Sequence, residues 1–549
     1  MTPIVLRPDQ TQLKSDVYDA WNAGARVVLA QLSTGGGKSV IASDIILDGH
    51  NQGMNEIVMA HRNELVGQMS CHIARRGIPH RIIGSRKTVA AVIQDHRAEF
   101  GRSFVNPDAR CAVGSVQTIV SRADHLREWG QQVHRFTGDE GHHFLRGNMW
   151  GKAVDLFPNA RGLLVTACTT RADGMGLGSH HDGIADALCV GPPMRELINM
   201  GALSEYEIII PTTDYNIGDD AITAKGDFSP VKMREASKRS HIVSDAVTEY
   251  RRWIPCKRAI CFATDVETAN NIANQFNEHG IAAASVSAKT DEGVRREMIK
   301  RFRDGRLLVL VNVDLFDEGF DVPGCDAVIM ARPTASLNKY LQMFGRALRV
   351  APGKTVGTII DLVSNVLRHG LPDKPHIWTL DRREKRAKRE PDPDDIPLTA
   401  CRECSRPYER IYAACPYCGH EPVAAGSGGR SIEQVDGDLM LLDRAKLAEL
   451  RAAMTLEAPG DVMSRVEHAT GNSIAAKGAA NRMVERHAAQ QRLTAAIEQW
   501  AGVRRATGET DSMIQRRFYH ALGCDILTAM AGKRTEMESL AATVEGWYS

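Results

Sequence analysis

The sequence contains no apolar run approaching the ~18 residues that an α-helix needs to cross a bilayer, which excludes a helical membrane span. Its first residues, MTPIVLRPDQ, lack a basic segment followed by an apolar stretch, so no secretory leader is expected there. Neither sign of charge is in excess: 68 Lys and Arg stand against 67 Asp and Glu, a formal net charge of +1. A strongly basic total would have indicated nucleic acid from composition alone; here the charge must be read locally. An even cysteine framework is also missing. Of 12 cysteines, eight are scattered at 71, 111, 168, 189, 256, 261, 325 and 524, mostly amid apolar or small residues. The expectation is a soluble protein of a reducing cytoplasm.

What remains is ordinary globular material: 549 residues, 43% hydrophobic and 25% charged, which excludes a disordered, collagen-like or coiled-coil chain. At about 100–200 residues per domain, three to five domains are expected. Short apolar runs alternate with amphipathic stretches through the first 380 residues: VVLAQL (27–32), EIVMA (56–60), CAVGSVQ (111–117) and GLLVTA (162–167). The pattern resumes with AICFAT (259–264), AAASVSA (282–288), LLVLVNV (307–313), AVIMA (327–331) and TVGTIIDLV (355–363). Buried parallel strands alternating with helices predict an α/β class. Two domains are expected, over 1–205 and 241–380, joined by a Gly-, Asp- and Thr-rich connection at 206–240. A charged linker follows at 381–397, where residues 381–389 carry a local +4 and 390–395 a local −4. A four-Cys module at 398–423 and an α-helical C-terminal domain at 431–549 complete the division, on either side of a Gly/Ser break at 424–430.

Ser33-Thr34-Gly35-Gly36-Gly37-Lys38-Ser39 lies between a strand pattern and a helical one. In that context consecutive backbone N–H groups form an anion nest at a helix N-terminus. Lys38 can reach β- and γ-phosphates, and Ser39 can ligate Mg²⁺. The full G-x-x-x-x-G-K-[ST] pattern would have Gly at position 32, where this chain has Leu. Asp139-Glu140-Gly141-His142 supplies an acid to hold Mg²⁺ (Asp139) and a general base (Glu140). The segment before it, VHRFTG (133–138), is more polar than a buried strand should be. Arg346 and Arg349, three apart on a presumed helix, can share one face and act as arginine fingers; a basic surface helix is the alternative. Gly345 argues for close approach.

In this order the motifs resemble the superfamily-two helicases of the D-E-x-H type, those related to phage and prophage DNA helicases and to the helicase parts of restriction systems, over about 1–370. Ser33 to Ser39 looks like motif I, and Asp139 to His142 like motif II. Arg7-Pro8-Asp9-Gln10 is similar to the segment whose Gln reads adenine. The segment 58–66, with Arg62, resembles motif Ia; Ser115-Val116-Gln117-Thr118 resembles motif Ib. Thr166-Ala167-Cys168-Thr169-Thr170-Arg171-Ala172-Asp173-Gly174 resembles motif III, with Cys168 and Thr169 where Thr and Pro are usual. Residues 312–321 resemble motif V, and Gln342 to Arg349 motif VI.

The resemblance implies two RecA-like domains, ATP between them and nucleic acid across both. It gives Arg7, Gln10, Ser33, Thr34, Gly35, Gly36, Gly37, Lys38, Ser39, Gly319 and Asp321 to the nucleotide. Catalysis falls to Lys38, Asp139, Glu140, His142, Gln342, Arg346 and Arg349, and coupling to Thr166 and Ala167. Arg62, Gln117, Thr118 and Asn312 contact the nucleic-acid backbone.

Cys401-x₂-Cys404 and Cys415-x₂-Cys418, ten residues apart, form a strong zinc signature; four thiolates would close a structural shell, with two disulfides as the alternative. Arg402, Arg406, Tyr408, Arg410, Tyr412 and Tyr417 suit either a nucleic-acid contact or packing. The tail, 14 basic against 16 acidic residues, is not a basic arm; Leu493, Ala496, Ile497 and Trp500 form a helical packing face. Residues 514–523 resemble C-terminal segments of phage-type helicases.

The expected function is an ATP-dependent DNA helicase or translocase in phage or prophage replication, recombination or repair, in bacterial or phage-infected cytoplasm. Its cofactors are ATP with Mg²⁺ and structural Zn²⁺. Single-stranded or forked DNA is the expected partner, with replication or recombination proteins met through the C-terminal domain and no membrane. The alternatives are an RNA helicase of the same fold, the motor subunit of a restriction complex, and a binding module with a degenerate motor.

Overall fold

The structure, a computed structural model, describes residues 4–60, 63–315, 325–382, 396–422, 459–470 and 473–548. The chain forms two compact units, residues 1–386 and 387–549.

In the first unit the apolar runs become strands, those at the centre of each sheet buried on both faces. Strands β1 (Val27–Gln31), β2 (Glu56–Ala60), β3 (His80–Ile83), β4 (Cys111–Ser115), β5 (Arg135–Asp139), β6 (Arg161–Thr166) and β7 (Ala187–Val190) form a parallel sheet in the order β3-β4-β2-β5-β6-β1-β7. A second parallel sheet holds β8 (Glu205–Ile209), β9 (Ala259–Ala263), β10 (Ala283–Val286), β11 (Val309–Asn312), β12 (Ala327–Ala331) and β13 (Val356–Asp361), in the order β10-β11-β9-β12-β13-β8. Parallel neighbours need crossover connections, so the loops leaving the C-terminal strand ends collect along one edge of each sheet. The expected α/β class with two RecA-like sheets is the observed one.

Two readings differ from what is found. The polar segment ahead of Asp139 is a central strand, and every residue of β5 is buried. Its arginine is accommodated by chemistry rather than exposure: Arg135 donates to the Ile45 carbonyl at 2.5 Å, lies 3.4 Å from the Glu56 carboxylate and stacks over Trp21. Gly138 leaves room for the Phe144 ring. The second sheet also begins inside the presumed connection. Strand β8 pairs with β13 from Glu205↔Val356 to Ile209↔Ile360, and the helix Pro230–Arg239 follows. As an edge strand with Glu205 exposed, β8 lacks the continuous apolar run that marks the others.

In the second unit, an antiparallel pair, β14 (Leu398–Ala400) and β15 (Pro407–Glu409), carries the four-Cys module. The helices Pro459–Thr470, Ser473–Ala506, Asp511–Leu522, Ile526–Ala531 and Arg534–Gly546 follow. Leu493, Ala496, Ile497 and Trp500 are buried with Ile514, Phe518, Met537 and Val544, so the apolar stripe is a packing face. Arg517, from the segment 514–523, is buried and pairs with Glu509 at 3.0 Å, and Arg516 donates to the Ile411 carbonyl beside the module. The charged linker lies mostly outside the described residues, as does the Gly/Ser break.

Candidate active site and metal centre

The glycine loop leaves β1 and enters the helix Lys38–Asn51. Gly35 and Gly37 adopt φ of 84° and 104°, which L side chains rarely hold. A Cβ at Gly37 would also overlap the Gln10 amide, which donates to the Gly36 carbonyl at 3.1 Å. Arg7 donates to the same carbonyl at 2.7 Å and is fixed by Asp9. The structure therefore brings Arg7 and Gln10 onto the loop. Leu32 is tolerated where the motif has Gly because its side chain packs beneath the loop: a Cβ on Gly36 would meet it at 2.8 Å and one on Gly191 at 2.7 Å. Ser33 opens the turn, its carbonyl accepting from the Gly36 N–H at 2.9 Å, Thr34 lies within it, and Ser39 lies in the first turn of the helix.

Lys38 folds back to within 3.4 Å of the Leu32 carbonyl. Burial lowers its pKa; Glu140 and Asp139 partly offset this, while Arg346 and Arg349 add to it. Three cations, Lys38, Arg346 and Arg349, thus stand against the two carboxylates of Asp139 and Glu140.

Asp139 ends β5, and its carboxylate accepts the Glu140 N–H at 3.0 Å. Glu140 takes a left-handed backbone (φ 51°, ψ 57°), a conformation that costs on the order of 1–3 kcal/mol for a non-glycine residue and recurs at functional sites. His142 is buried. Its Nδ1 lies 3.2 Å from the Thr166 hydroxyl and 3.4 Å from the Glu140 carboxylate. Thr166 turns at the end of β6, and the Ala167 carbonyl accepts from Gln31 at 2.8 Å. Cys168 is buried against the Thr170 carbonyl, and Arg171 donates to the His142 carbonyl at 2.5 Å.

The second sheet reaches this cluster through the helix Leu337–Gly345. Gln342 donates to Glu140 at 3.2 Å, and the Asn338 amide, one turn earlier, lies 3.0 Å from His142 Nε2. Asn338 escaped the sequence reading; its signal is the i, i+4 spacing from Gln342. Gly345 touches the loop, since a Cβ there would lie 2.5 Å from Thr34 Cβ. The helix ends at Gly345, so Arg346 and Arg349 do not share a regular helix as expected. They lie on a turn of i→i+3 bonds, whose carbonyls at Ala347 and Arg349 accept from Lys354. Among the described residues, Thr34 Oγ1, Gln342 Oε1 and Asn338 Oδ1 are buried here with no hydrogen-bond partner.

Of the residues expected to touch nucleic acid, Gln117 is exposed and Thr118 partly so, in the first turn of the helix Val116–Ser121 capped by Ser115. Asn312 is not presented: it is wholly buried and donates to the Cys261 carbonyl within the sheet, a correction to its expected contact. Arg62, Gly319 and Asp321 lie outside the described residues.

The four cysteines converge, with their sulfurs all within 4.8 Å of one another. The Cys401–Cys418 and Cys404–Cys415 sulfurs are each 3.6 Å apart, too far for disulfides. A tetrahedral metal with 2.3 Å bonds to sulfur would space them about 3.8 Å. Each C-x₂-C pair is followed by a left-handed residue, Ser405 (φ 56°) and Gly419 (φ 74°). Burial alone would raise the Cys415 thiol, but N–H groups of Tyr417 and Cys418 outweigh it and bring it down to about 7. Tyr408 is buried, whereas Arg402, Arg406, Tyr412 and Tyr417 are exposed, with Arg406 over the Tyr417 ring.

Residues 3–171 match the family described as "Type III restriction enzyme, res subunit", and residues 245–351 match "Helicase conserved C-terminal domain". The chain is 30% identical over 394 residues to a 51.5 kDa protein of Lactococcus phage (isolate 7-9), covering 72% of this chain and 78% of that protein. It is 24% identical over 376 residues to a provisionally named ATP-dependent helicase, IRC3, of Saccharomyces cerevisiae, covering 65% of this chain and 51% of the yeast protein. Its fold is similar to that of the ATP-dependent Type ISP restriction-modification enzyme LlaBIII bound to DNA, at a TM-score of 0.46 and 15% identity, over 65% of this chain and 28% of that one. The chain thus spans about half of the yeast relative and about a quarter of the restriction enzyme.

Proposed function

The chain belongs to the superfamily-two helicases of phage type, and from that premise we propose that it is a DNA-dependent ATPase that separates or tracks along DNA strands in phage or prophage replication, recombination or repair. The observation that carries this reading is the junction of Gln342 with Glu140, which joins the second sheet's helix to the first sheet's acidic segment.

The residues fit ATP. Thr34 Oγ1 and Gln342 Oε1 are buried without partners among the described residues, and Lys38 is a partly buried cation at the glycine loop. In this reading Arg7 and Gln10 hold the base, and the Gly35–Gly37 backbone with Lys38 holds the phosphates. Ser39 and Asp139 would hold Mg²⁺, which neutralises phosphate charge. Glu140 orients and deprotonates the attacking water, and His142, Thr166 and Ala167 relay its state to the strand-contacting loops. Arg346, Arg349 and Gln342 stabilise the charge that develops on the γ-phosphoryl group. Closure of the domains on ATP and reopening after hydrolysis would advance the chain along one strand, with Gln117 and Thr118 on the backbone. Cys401, Cys404, Cys415 and Cys418 fit zinc by donor type and spacing, and would hold it as a structural ion with no open position.

ATP turnover measured with single-stranded DNA, duplex DNA and RNA as separate stimulants tests the reading. Stimulation by DNA above RNA is expected, and Lys38→Ala should abolish it; no stimulation by any of the three refutes it. A second reading, the motor subunit of a restriction complex, is favoured by the family matched at 3–171. It requires a separate nuclease partner.

A further inference from the structure

The segment between β8 and β9 contains a small hairpin outside every motif of the resemblance. Ile222 and Phe228 form an antiparallel bridge, and the Gly226 N–H closes the turn onto the Thr223 carbonyl at 2.9 Å. Phe228 anchors the hairpin in a cluster with Ala221 and Met233, and Arg368 lies over its ring.

Two adjacent residues of this hairpin touch different domains, Gly226 the loop after β6 and Asp227 the start of the helix Leu337–Gly345. Gly226 has φ 79°, and a Cβ on it would overlap the carbonyl of Ala172, in the loop after β6 that also carries Arg171. The Asp227 carboxylate accepts from the Ala335 N–H at 2.8 Å, the Thr334 hydroxyl at 3.0 Å and the Lys339 ammonium at 3.0 Å. These three donors surround the N-terminus of the helix Leu337–Gly345, which presents Asn338 and Gln342 to the acidic segment and leads into Arg346. Burial raises the Asp227 carboxyl, but Lys339 and the Ala335 and Phe228 N–H groups outweigh it, so it lies below the ordinary carboxylate range. An ionised carboxylate at a helix N-terminus is also favoured by the helix dipole.

We infer that the Gly226–Asp227 turn sets the helix Leu337–Gly345 in register with the loop 168–174, making Asp227 a positioning residue for ATP hydrolysis. It acts through Gln342 and Arg346 rather than on the nucleotide. The inference rests on the ATPase reading given above. In that reading the contacts to the base and phosphates come from the first sheet, so loss of this turn should lower kcat and leave KM for ATP nearly unchanged.

The experiment compares Asp227→Ala, Asp227→Asn and Gly226→Ala in the full chain with saturating single-stranded DNA, reading kcat, KM and thermal unfolding. Asp227→Ala and Gly226→Ala should each lower kcat by about tenfold or more with KM within about threefold. Asp227→Asn keeps an acceptor for Ala335 and Thr334 and should fold and recover most of the rate. A kcat within twofold of wild type in Asp227→Ala overturns the inference, as does an Asn variant no faster than the Ala variant. A wild-type chain that hydrolyses no ATP with any nucleic acid refutes the functional reading itself, and this inference with it.

Discussion

The first α/β domain meets the cleft with a backbone loop and with the side chains of Lys38, Glu140 and His142; the second meets it with amide and guanidinium side chains. Around the glycine loop, the Gly36 carbonyl, the Leu32 carbonyl and the positive-φ glycines shape the surface. From the other side come Asn338, Gln342, Arg346 and Arg349, carried by a helix end and the turn after it. Backbone N–H groups suit a charge present before and after reaction, whereas a guanidinium on a movable domain can be withdrawn after each cycle. The expectation drawn from this difference is that the glycine loop of the first domain governs nucleotide binding, while side chains of the second domain govern the rate of hydrolysis together with Glu140.

Arg346→Ala gives the strongest test of that division. It should lower kcat by about 10³–10⁵, as loss of arginine fingers does, with ATP affinity nearly intact. A rise in KM with kcat preserved would break the division. Glu140→Gln should cost about 10²–10⁴ in kcat while equilibrium binding of a fluorescent ATP analogue persists, which separates binding from hydrolysis within the first domain. Asn338→Ala removes the amide against His142, and about tenfold in DNA-stimulated kcat is expected, equivalent to about 1.4 kcal/mol. An equal loss without DNA would show that Asn338 supports the chemistry and not its coupling to the strand. Cys418→Ser should change ATP turnover without DNA by less than about twofold while lowering the melting temperature of the second unit, because a structural metal contributes folding energy where it binds. Calorimetry with two resolved transitions would report it.

Much of the first unit was legible because its cues are local. A β-branched run bounded by glycines declares a buried strand within five or six residues, and a glycine loop before Lys38 declares its anion nest in seven. The spacing of Cys401, Cys404, Cys415 and Cys418 declares a four-sulfur cluster, and only the 3.6 Å sulfur separations set the disulfide alternative aside. The failures have the opposite character. Strand β5 looked too polar because the partners of Arg135 are Ile45, Glu56 and Trp21, all at least 79 positions away. Strand β8 was hidden because it pairs with β13, about 150 residues later. Asn312 carries a polar side chain that the sheet itself absorbs, so residue type misled about exposure.

The sequence by itself determined most of the buried strands, the glycine loop, the acidic pair Asp139-Glu140 and the four-Cys module, since each is specified by neighbours along the chain. Only the tertiary structure decided which distant groups meet. Gln342 reaches Glu140 across 202 positions and Asn338 reaches His142 across 196, while the Gly226–Asp227 turn touches both the loop after β6 and the Leu337–Gly345 helix. Such contacts depend on how two sheets pack to within a hydrogen bond's length, a long-range geometry that no local periodicity encodes.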